Sequence, residues 1–436
     1  MKFKYIFSIL LIFGLLSCSE DFTDLSPISQ RNVGIFYKTA NDMEVAVNAI
    51  YNTLKEDGCY NQSYWVLQEL RSDNTFWDGT GLAEEITVFD KFNDIPTSNI
   101  TEDAWSDSYL GVARANIVLN RIDDIEFDDS NLRERLRGEA LFLRSLFYYH
   151  LTVAFGNIPL VLTETASVDE GQTHTQVDAN TVYTQLISDL TEAENKLPQS
   201  YSDENTGRAT KGAAATLLAK IYLTVGDDGN AESTLRRVMG YGYDLVENYA
   251  DLWGVENEHN VESIFEVEFE GGFGDQGNAF TMQFNGDLST TVTSGLRNIP
   301  ERDLIDAYEE GDERFAASLD GVTEDNTGWT IKYGTENPFL EDDAANNWVV
   351  FRYADVLLML AEALGESQEA YDLINEVRQR AGLDPIDGDT PGTFEEKLLQ
   401  ERRVELAFEN HRWADLRRFG VAESVMAAQG KPVNGK

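Results

Sequence analysis

Apolar residues recur at three- and four-residue intervals over most of this chain, and that spacing predicts helices. Met43, Val47, Ile50 and Leu54 form the first stripe, with Asn41 and Glu44 placed as a capping box at its start. Trp105, Tyr109, Val112, Leu119 and Ile122 predict a second helix between Thr101 and Ile122. The longest runs from Asn131 to Phe155. Its Leu132, Leu136, Ala140, Leu143, Phe147, Leu151 and Ala154 share one face, and Gly156 and Pro159 end it. Val182, Leu186, Leu190, Ala193 and Leu197 mark a fourth before Pro198. Near the C-terminus, Thr393 and Glu396 make another capping box for a helix reaching Asn410, and a last helix covers Trp413 to Phe419.

Between residues 210 and 240 the spacing is more specific. Leu218, Ala219, Tyr222, Ala231, Leu235 and Val238 fall on the offsets of one tetratricopeptide repeat, two antiparallel helices joined across Gly226 to Asn230. The small Ala219 and Ala231 permit close approach, and Leu235 and Val238 fill the gap. Leu360, Ala361, Ala370, Ile374 and Val377 repeat these offsets within 351–380, with a shorter turn near Gly365. One such pair cannot bury its own stripe, so two imply several stacked pairs. The expected fold class is all-α, a platform of tetratricopeptide-like helix pairs. A short β element interrupts it: Phe265, Val267 and Phe269 alternate with Glu266, Glu268 and Glu270, which predicts a half-buried strand. Residues 72–100 and 271–347 have loop composition with scattered aromatics. They read as irregular excursions from the platform, where binding sites tend to be placed.

The apolar fraction of 42% excludes disorder of the whole chain. A formal charge of −43 repels phosphate backbones and anionic headgroups, which excludes nucleic-acid binding. Lys2 and Lys4 precede an apolar run, Tyr5 to Leu16, that is shorter than the roughly 20 residues a spanning helix needs. The run suits a secretory signal peptide over residues 1–17. It ends at Leu15-Leu16-Ser17-Cys18, which resembles a bacterial lipobox and makes Cys18 the expected lipid-attachment site. Residues 18–40 then form a lipidated tether, and 41–436 one helical domain. Cys59 is left alone, so no intramolecular disulfide forms. Ser19-Glu20-Asp21 resembles a surface-export signal of Bacteroidetes lipoproteins and reads equally as a solvated tether.

Catalytic and metal motifs are sparse. Gly272-Phe273-Gly274-Asp275-Gln276-Gly277 matches the dinucleotide fingerprint, but Asn278 to Asp287 lacks a helical stripe, so the segment reads as a flexible loop. The histidines, His150, His174, His259 and His411, form no zinc motif, and no G-x-S-x-G occurs. His150 reads as a packing residue inside the long helix. Neither a catalytic residue nor a resident metal or cofactor is expected. Glu401 to Leu416 is dense in opposite charges at three- and four-residue spacings, which predicts an ion-pair network locking the last helices onto the body.

These segments, taken in order, resemble the SusD/RagB family of Bacteroidetes surface lipoproteins over essentially the whole chain. The likeness rests on Cys18-Ser19-Glu20-Asp21-Phe22 with Pro27, Glu69 to Asn74, Arg137 to Arg144, and Phe155 to Leu160. Ala209 to Ala214, Arg352 to Leu358 and the Glu401 to Asp415 block complete it. The resemblance implies a SusD-like fold and a non-enzymatic role at the outer membrane. Such a protein captures oligosaccharide at the cell surface and forms a lid over a SusC-like TonB-dependent transporter. Ligand sites in that family lie in divergent loops, so no binding residue transfers by motif.

A sugar site pairs aromatic rings, which pack on C–H faces, with Asp, Asn and Arg, which bind hydroxyls. Asp73, Asn74, Phe76 and Trp77 form the leading candidate group, followed by Phe92 and Asn93. The second excursion offers Phe280, Phe284, Arg297 and Trp329. Trp77→Ala is expected to weaken oligosaccharide binding with a nearly unchanged melting temperature. Competing readings are the peptide-binding lid of a RagAB-type importer, a tetratricopeptide scaffold without a small ligand, and a surface glycoside hydrolase.

Overall fold

The predicted stripes fold as helices in the computed structural model, which describes residues 36–77, 84–165, 167–272, 276–286, 296–334, 343–431 and 433. The proposed signal peptide, Cys18 and most of the tether lie outside the described residues. The longer helices are α1 (Ala40–Thr53), α2 (Asn99–Arg121), α3 (Ser130–Phe155), α4 (Ala179–Lys196) and α5 (Lys211–Thr224). They continue as α6 (Asp228–Met239), α7 (Tyr353–Leu364), α8 (Gln368–Arg380) and α9 (Phe394–Glu405), followed by the short α10 (Arg412–Arg418). From α1 to α8 each helix packs on the next, and α9 packs on α7. The pairs α5–α6 and α7–α8 therefore stack through α6 and α7, as the repeat spacing implies.

Several boundaries differ from the sequence reading for local reasons. The capping box of α1 is Thr39 with Asp42, so Asn41 and Glu44 already lie inside the helix. The Thr393–Glu396 box opens α9 as predicted, but the helix stops at Glu405 rather than Asn410. Phe408 and Asn410 adopt left-handed backbone (φ 67° and 65°), which turns the chain before α10. Leu223 and Tyr222 carbonyls accept the Gly226 and Asp227 N–H groups at the turn of the first repeat, and Asp227 caps α6.

On α2 the buried face is mostly small: Ala104, Ser108, Gly111, Val112 and Ala115, while Trp105, Tyr109 and Leu119 stay half-buried. Small residues let α3 approach closely. A Cβ on Gly111 would lie 2.3 Å from the Phe147 ring. Gly111→Ala is expected to destabilise the fold by about 1–3 kcal/mol through overpacking. Urea denaturation checks this, and an unshifted midpoint would mean that the two helices have room to spare.

Four antiparallel pairs of strands decorate the stack. They join β1 (Thr75–Phe76) with β5 (Ile299–Pro300), β2 (Ile158–Pro159) with β3 (Gln176–Val177), β4 (Ser263–Val267) with β8 (Trp348–Arg352), and β6 (Leu319–Val322) with β7 (Thr327–Thr330). Strand β4 is not half-buried as its alternation predicts: Ile264, Phe265, Glu266 and Val267 are all buried. Phe142 of α3 packs edge-on against Phe265 at 4.9 Å, while Asn347 covers Glu266 from the other side. Its partner β8 takes residues 351 and 352 that the repeat reading assigned to the second helix pair.

One buried apolar cluster runs from Met43 to Phe408, and a smaller one joins Phe92, Trp413, Leu416, Met426 and Val433. Part of the glycine-rich hexapeptide, residues 273–275, lies outside the described residues. After it comes a short helix, Phe280–Phe284, where none was predicted. All five of its residues are buried, so it plugs the interior and offers no open N-terminus to a phosphate.

Candidate functional site

The excursions are held by buried charge. Arg314, Arg352 and Arg380 converge on Glu405, at the end of α9, and all four are buried. Arg314 also binds Asp312 at 2.8 Å and Glu401 at 2.6 Å. Arg352 and Arg380 share Glu262 at 2.8 and 2.9 Å. Lys332 donates to Glu409 at 2.8 Å and to the Ala407 carbonyl at 2.7 Å. Burial alone would push the Glu405 carboxyl up, but the facing guanidinium groups outweigh it and hold its pKa well below the ordinary range. Arg314 and Lys332 come from the second excursion, so this network fixes that excursion to the C-terminal helices.

Asp73 and Asn74 serve the same purpose for the first excursion. Arg412 grips Asp73 in a bidentate pair at 2.7 and 2.8 Å, and Arg403 donates to Asn74 Oδ1 at 2.9 Å. Both residues are buried. Burial raises the Asp73 carboxyl, but the hydrogen bonds and charge of Arg412, with Arg403, bring its pKa below the usual value.

Most of the aromatic candidates are likewise inside. Trp77 is only 4% exposed and belongs to the main core. Phe92 packs on Trp413 at 5.4 Å. Phe280 lies at 4.9 Å from Trp348, and Phe284 meets Trp65 edge-on at 5.0 Å. Rings enclosed in this way have no free face for a sugar. The expectation that Trp77→Ala spares the melting temperature is thus overturned by its burial. Phe76 and Arg297 are half-buried and Asn93 is exposed.

What the fold does bring together is a loop-built face. Strand β1 carries Phe76 opposite Ile299 of β5, and β7 packs alongside β5. On β7, Trp329 is half-buried and stands directly across the ladder from exposed Asp320 of β6, so the two side chains share one face. The indole lies against two glycines: a Cβ on Gly286 would come within 2.4 Å of it, and one on Gly321 within 2.3 Å. Gly321 also has φ 68°, a conformation that L side chains resist. The ring is therefore fixed before any ligand arrives. Asp320 was missed because the segment reads as irregular loop. The segment gives little signal of its own: β6 is Leu-Asp-Gly-Val, and the hairpin shows only in the turn closed by the Thr323 N–H to the Asn326 carbonyl.

Comparison with known proteins gives a consistent result. The SusD family model matches residues 326–436, and the family described as "starch-binding associating with outer membrane" matches residues 21–223. A SusD-like protein of Formosa agariphila is 27% identical over 96% of this chain and 90% of its own length. The starch-binding protein SusD of Bacteroides thetaiotaomicron is 26% identical over 61% of this chain and 51% of its own. Among solved structures, a laminarin-binding SusD-like protein superposes with a TM-score of 0.80 at 30% identity, covering 90% of this chain and 94% of that one. Surface glycan-binding protein A of Bacteroides thetaiotaomicron, solved with laminarihexaose, shares the fold at a TM-score of 0.78 and 22% identity, over 91% of this chain and 94% of that one. The stacked helix pairs and these matches over nearly the whole length show that the chain belongs to the SusD/RagB family.

Proposed function

We propose that this protein binds an oligosaccharide or polysaccharide at the cell surface and hands it to a SusC-like TonB-dependent outer-membrane transporter. The observation that carries the reading is Trp329, a half-buried aromatic ring packed against two glycine backbones, with the exposed Asp320 beside it across the ladder. A fixed ring offers a flat apolar surface to sugar C–H groups at little entropic cost, and Asp320 accepts from hydroxyls. The matched laminarin-binding relative supports a saccharide as the ligand class. In this reading the chain does no bond chemistry on what it holds. Cys18 carries the lipid anchor, residues 18–40 form the tether, and the domain from residue 41 acts as a lid. Among the described residues no helix is long and apolar enough to cross a membrane, which suits attachment by lipid.

The test is calorimetric titration with a panel that includes laminarin, laminarihexaose, starch oligosaccharides and short peptides. Trp329→Ala is expected to weaken saccharide binding roughly thirtyfold, the ~2 kcal/mol of an aromatic anchor, with a smaller fall in thermal midpoint than Trp77→Ala causes. Trp77→Ala is expected to lower the midpoint most and to leave the affinity of the folded protein unchanged, because its ring is core. Full affinity in Trp329→Ala removes this face from the site. Binding of peptides alone would place the chain with the peptide importers.

A further inference from the structure

Away from that face, one cluster combines nitrogen and oxygen donors beside open clefts. His259, Glu266 and Glu268 each offer a ligand atom, and the three atoms lie within 4.8 Å of one another. The imidazole Nε2 is 3.2 Å from the Glu268 carboxylate, and Nδ1 is 3.9 Å from that of Glu266. Two ligands at ~2.1 Å from a tetrahedral ion stand roughly 3.4 Å apart, and a single ring nitrogen binds the ion, so the exposed His259 and Glu268 side chains rotate to bring one nitrogen to both carboxylates.

The surroundings already orient these groups. Glu266 lies on β4, where its Oε1 accepts from the His259 N–H at 3.0 Å and its Oε2 from Asn347 Nδ2 at 2.9 Å. The same buried amide reaches Glu268 at 3.2 Å. One outer residue thus aims both carboxylates, the arrangement that metal ligands commonly show. A third carboxylate, Glu258, accepts from the Asn347 N–H at 2.8 Å. Among the described residues, none of these three glutamates pairs with a lysine or arginine, unlike the carboxylates around Arg352. The His259 imidazole is the basic group in contact with two of them, and Arg208 lines the adjoining clefts.

Access is also present. A cleft of about 290 Å³ reaches His259 and Glu266, and a neighbouring one of about 340 Å³ reaches Glu266 and Glu268. Gly207 keeps the second open, since a Cβ there would lie 2.7 Å from Glu268 Oε1. We propose that His259, Glu266 and Glu268 bind a divalent transition-metal ion of the zinc class, with a coordination position left to water. An imidazole with two carboxylates suits such an ion, whereas calcium and magnesium prefer all-oxygen sets.

The experiment titrates the untagged full-length protein with Zn²⁺ by calorimetry and with Co²⁺ by visible absorption. One equivalent should bind with micromolar or tighter affinity, and Co²⁺ should give tetrahedral bands. His259→Ala and Glu268→Gln should each weaken binding at least about tenfold while keeping the wild-type thermal midpoint, and His174→Ala should change nothing. A wild-type protein without saturable binding at one equivalent, or unchanged affinity in both variants, overturns the proposal.

Discussion

Glu405→Gln is expected to cost at least about 3–5 kcal/mol of folding stability, read as a lower urea midpoint at an unchanged m-value. The substitution keeps the shape of the side chain and deletes only its charge. Three guanidinium groups, those of Arg314, Arg352 and Arg380, then face a neutral amide in a buried site. Each keeps another carboxylate, Asp312 and Glu401 for Arg314 and Glu262 for Arg352 and Arg380, but the cluster is one negative charge short where water cannot reach, so the mutual repulsion of the guanidinium groups is less offset. The acid limb follows from the same geometry. Because the folded pKa of Glu405 lies well below its unfolded value, its contribution is present above pH ~4.3 and is lost only as pH falls toward the folded value. Glu369→Gln is the control. Glu369 pairs with Arg236 at 2.8 Å on the surface, where solvent and salt screen the attraction, and its loss should not move the midpoint. Equal behaviour of the two variants would show that the buried network contributes nothing specific.

This network also marks how far the sequence could be read. The Glu401–Leu416 block announced ion pairs through its spacing, yet the partners of Glu405 lie at positions 314, 352 and 380, and no local pattern points to them. Helices were legible because their stripes report burial directly: Leu136, Ala140, Leu143 and Phe147 are all buried on α3. The repeat offsets alone predict the pairs α5–α6 and α7–α8. The candidate site was far less legible. Loop composition and polarity suggest exposure, but Asp73 and Asn74 are polar because they receive Arg412 and Arg403, both distant in the chain. Trp77 and Phe92 occupy excursions that fold back onto the helices, so their rings serve the core. Glu266 alternates as an outward residue would, and a second layer then buries it. In each case the deciding contact is long-range, and periodicity carries only local information.

His150→Phe is expected to remove a pH dependence that the wild-type protein shows between pH 8 and pH 5. His150 is 3% exposed on α3, with Tyr64 across it at 3.9 Å between ring centroids and Tyr60 Oη at 3.0 Å from Nε2. Among the described residues its Nδ1 has no hydrogen-bond partner. Burial pushes its pKa down from 6.5 to about 3, so the folded protein keeps the ring neutral while the unfolded chain protonates it. A depressed histidine gives stability that is fully present above pH ~6.5 and declines as pH falls toward the folded value. At 1.36 kcal/mol per unit, the loss is about 2 kcal/mol by pH 5 and approaches roughly 5 kcal/mol near pH 3. The raw curve mixes in other groups. His411, also buried and lowered to about 4, acts in the same direction. Glu69, raised to about 7 by burial, acts oppositely, because the folded state then holds its proton more tightly and loses stability as pH rises from ~4.5 to ~7. Both remain in the variant, so subtracting its unfolding free energy from that of the wild type at each pH isolates His150. Phenylalanine preserves the ring packing, and losing the Tyr60 hydrogen bond shifts the difference by a constant only. A difference that does not change with pH would mean that the imidazole accepts its proton in place, which its burial among the Tyr60, Tyr64 and Tyr149 rings opposes.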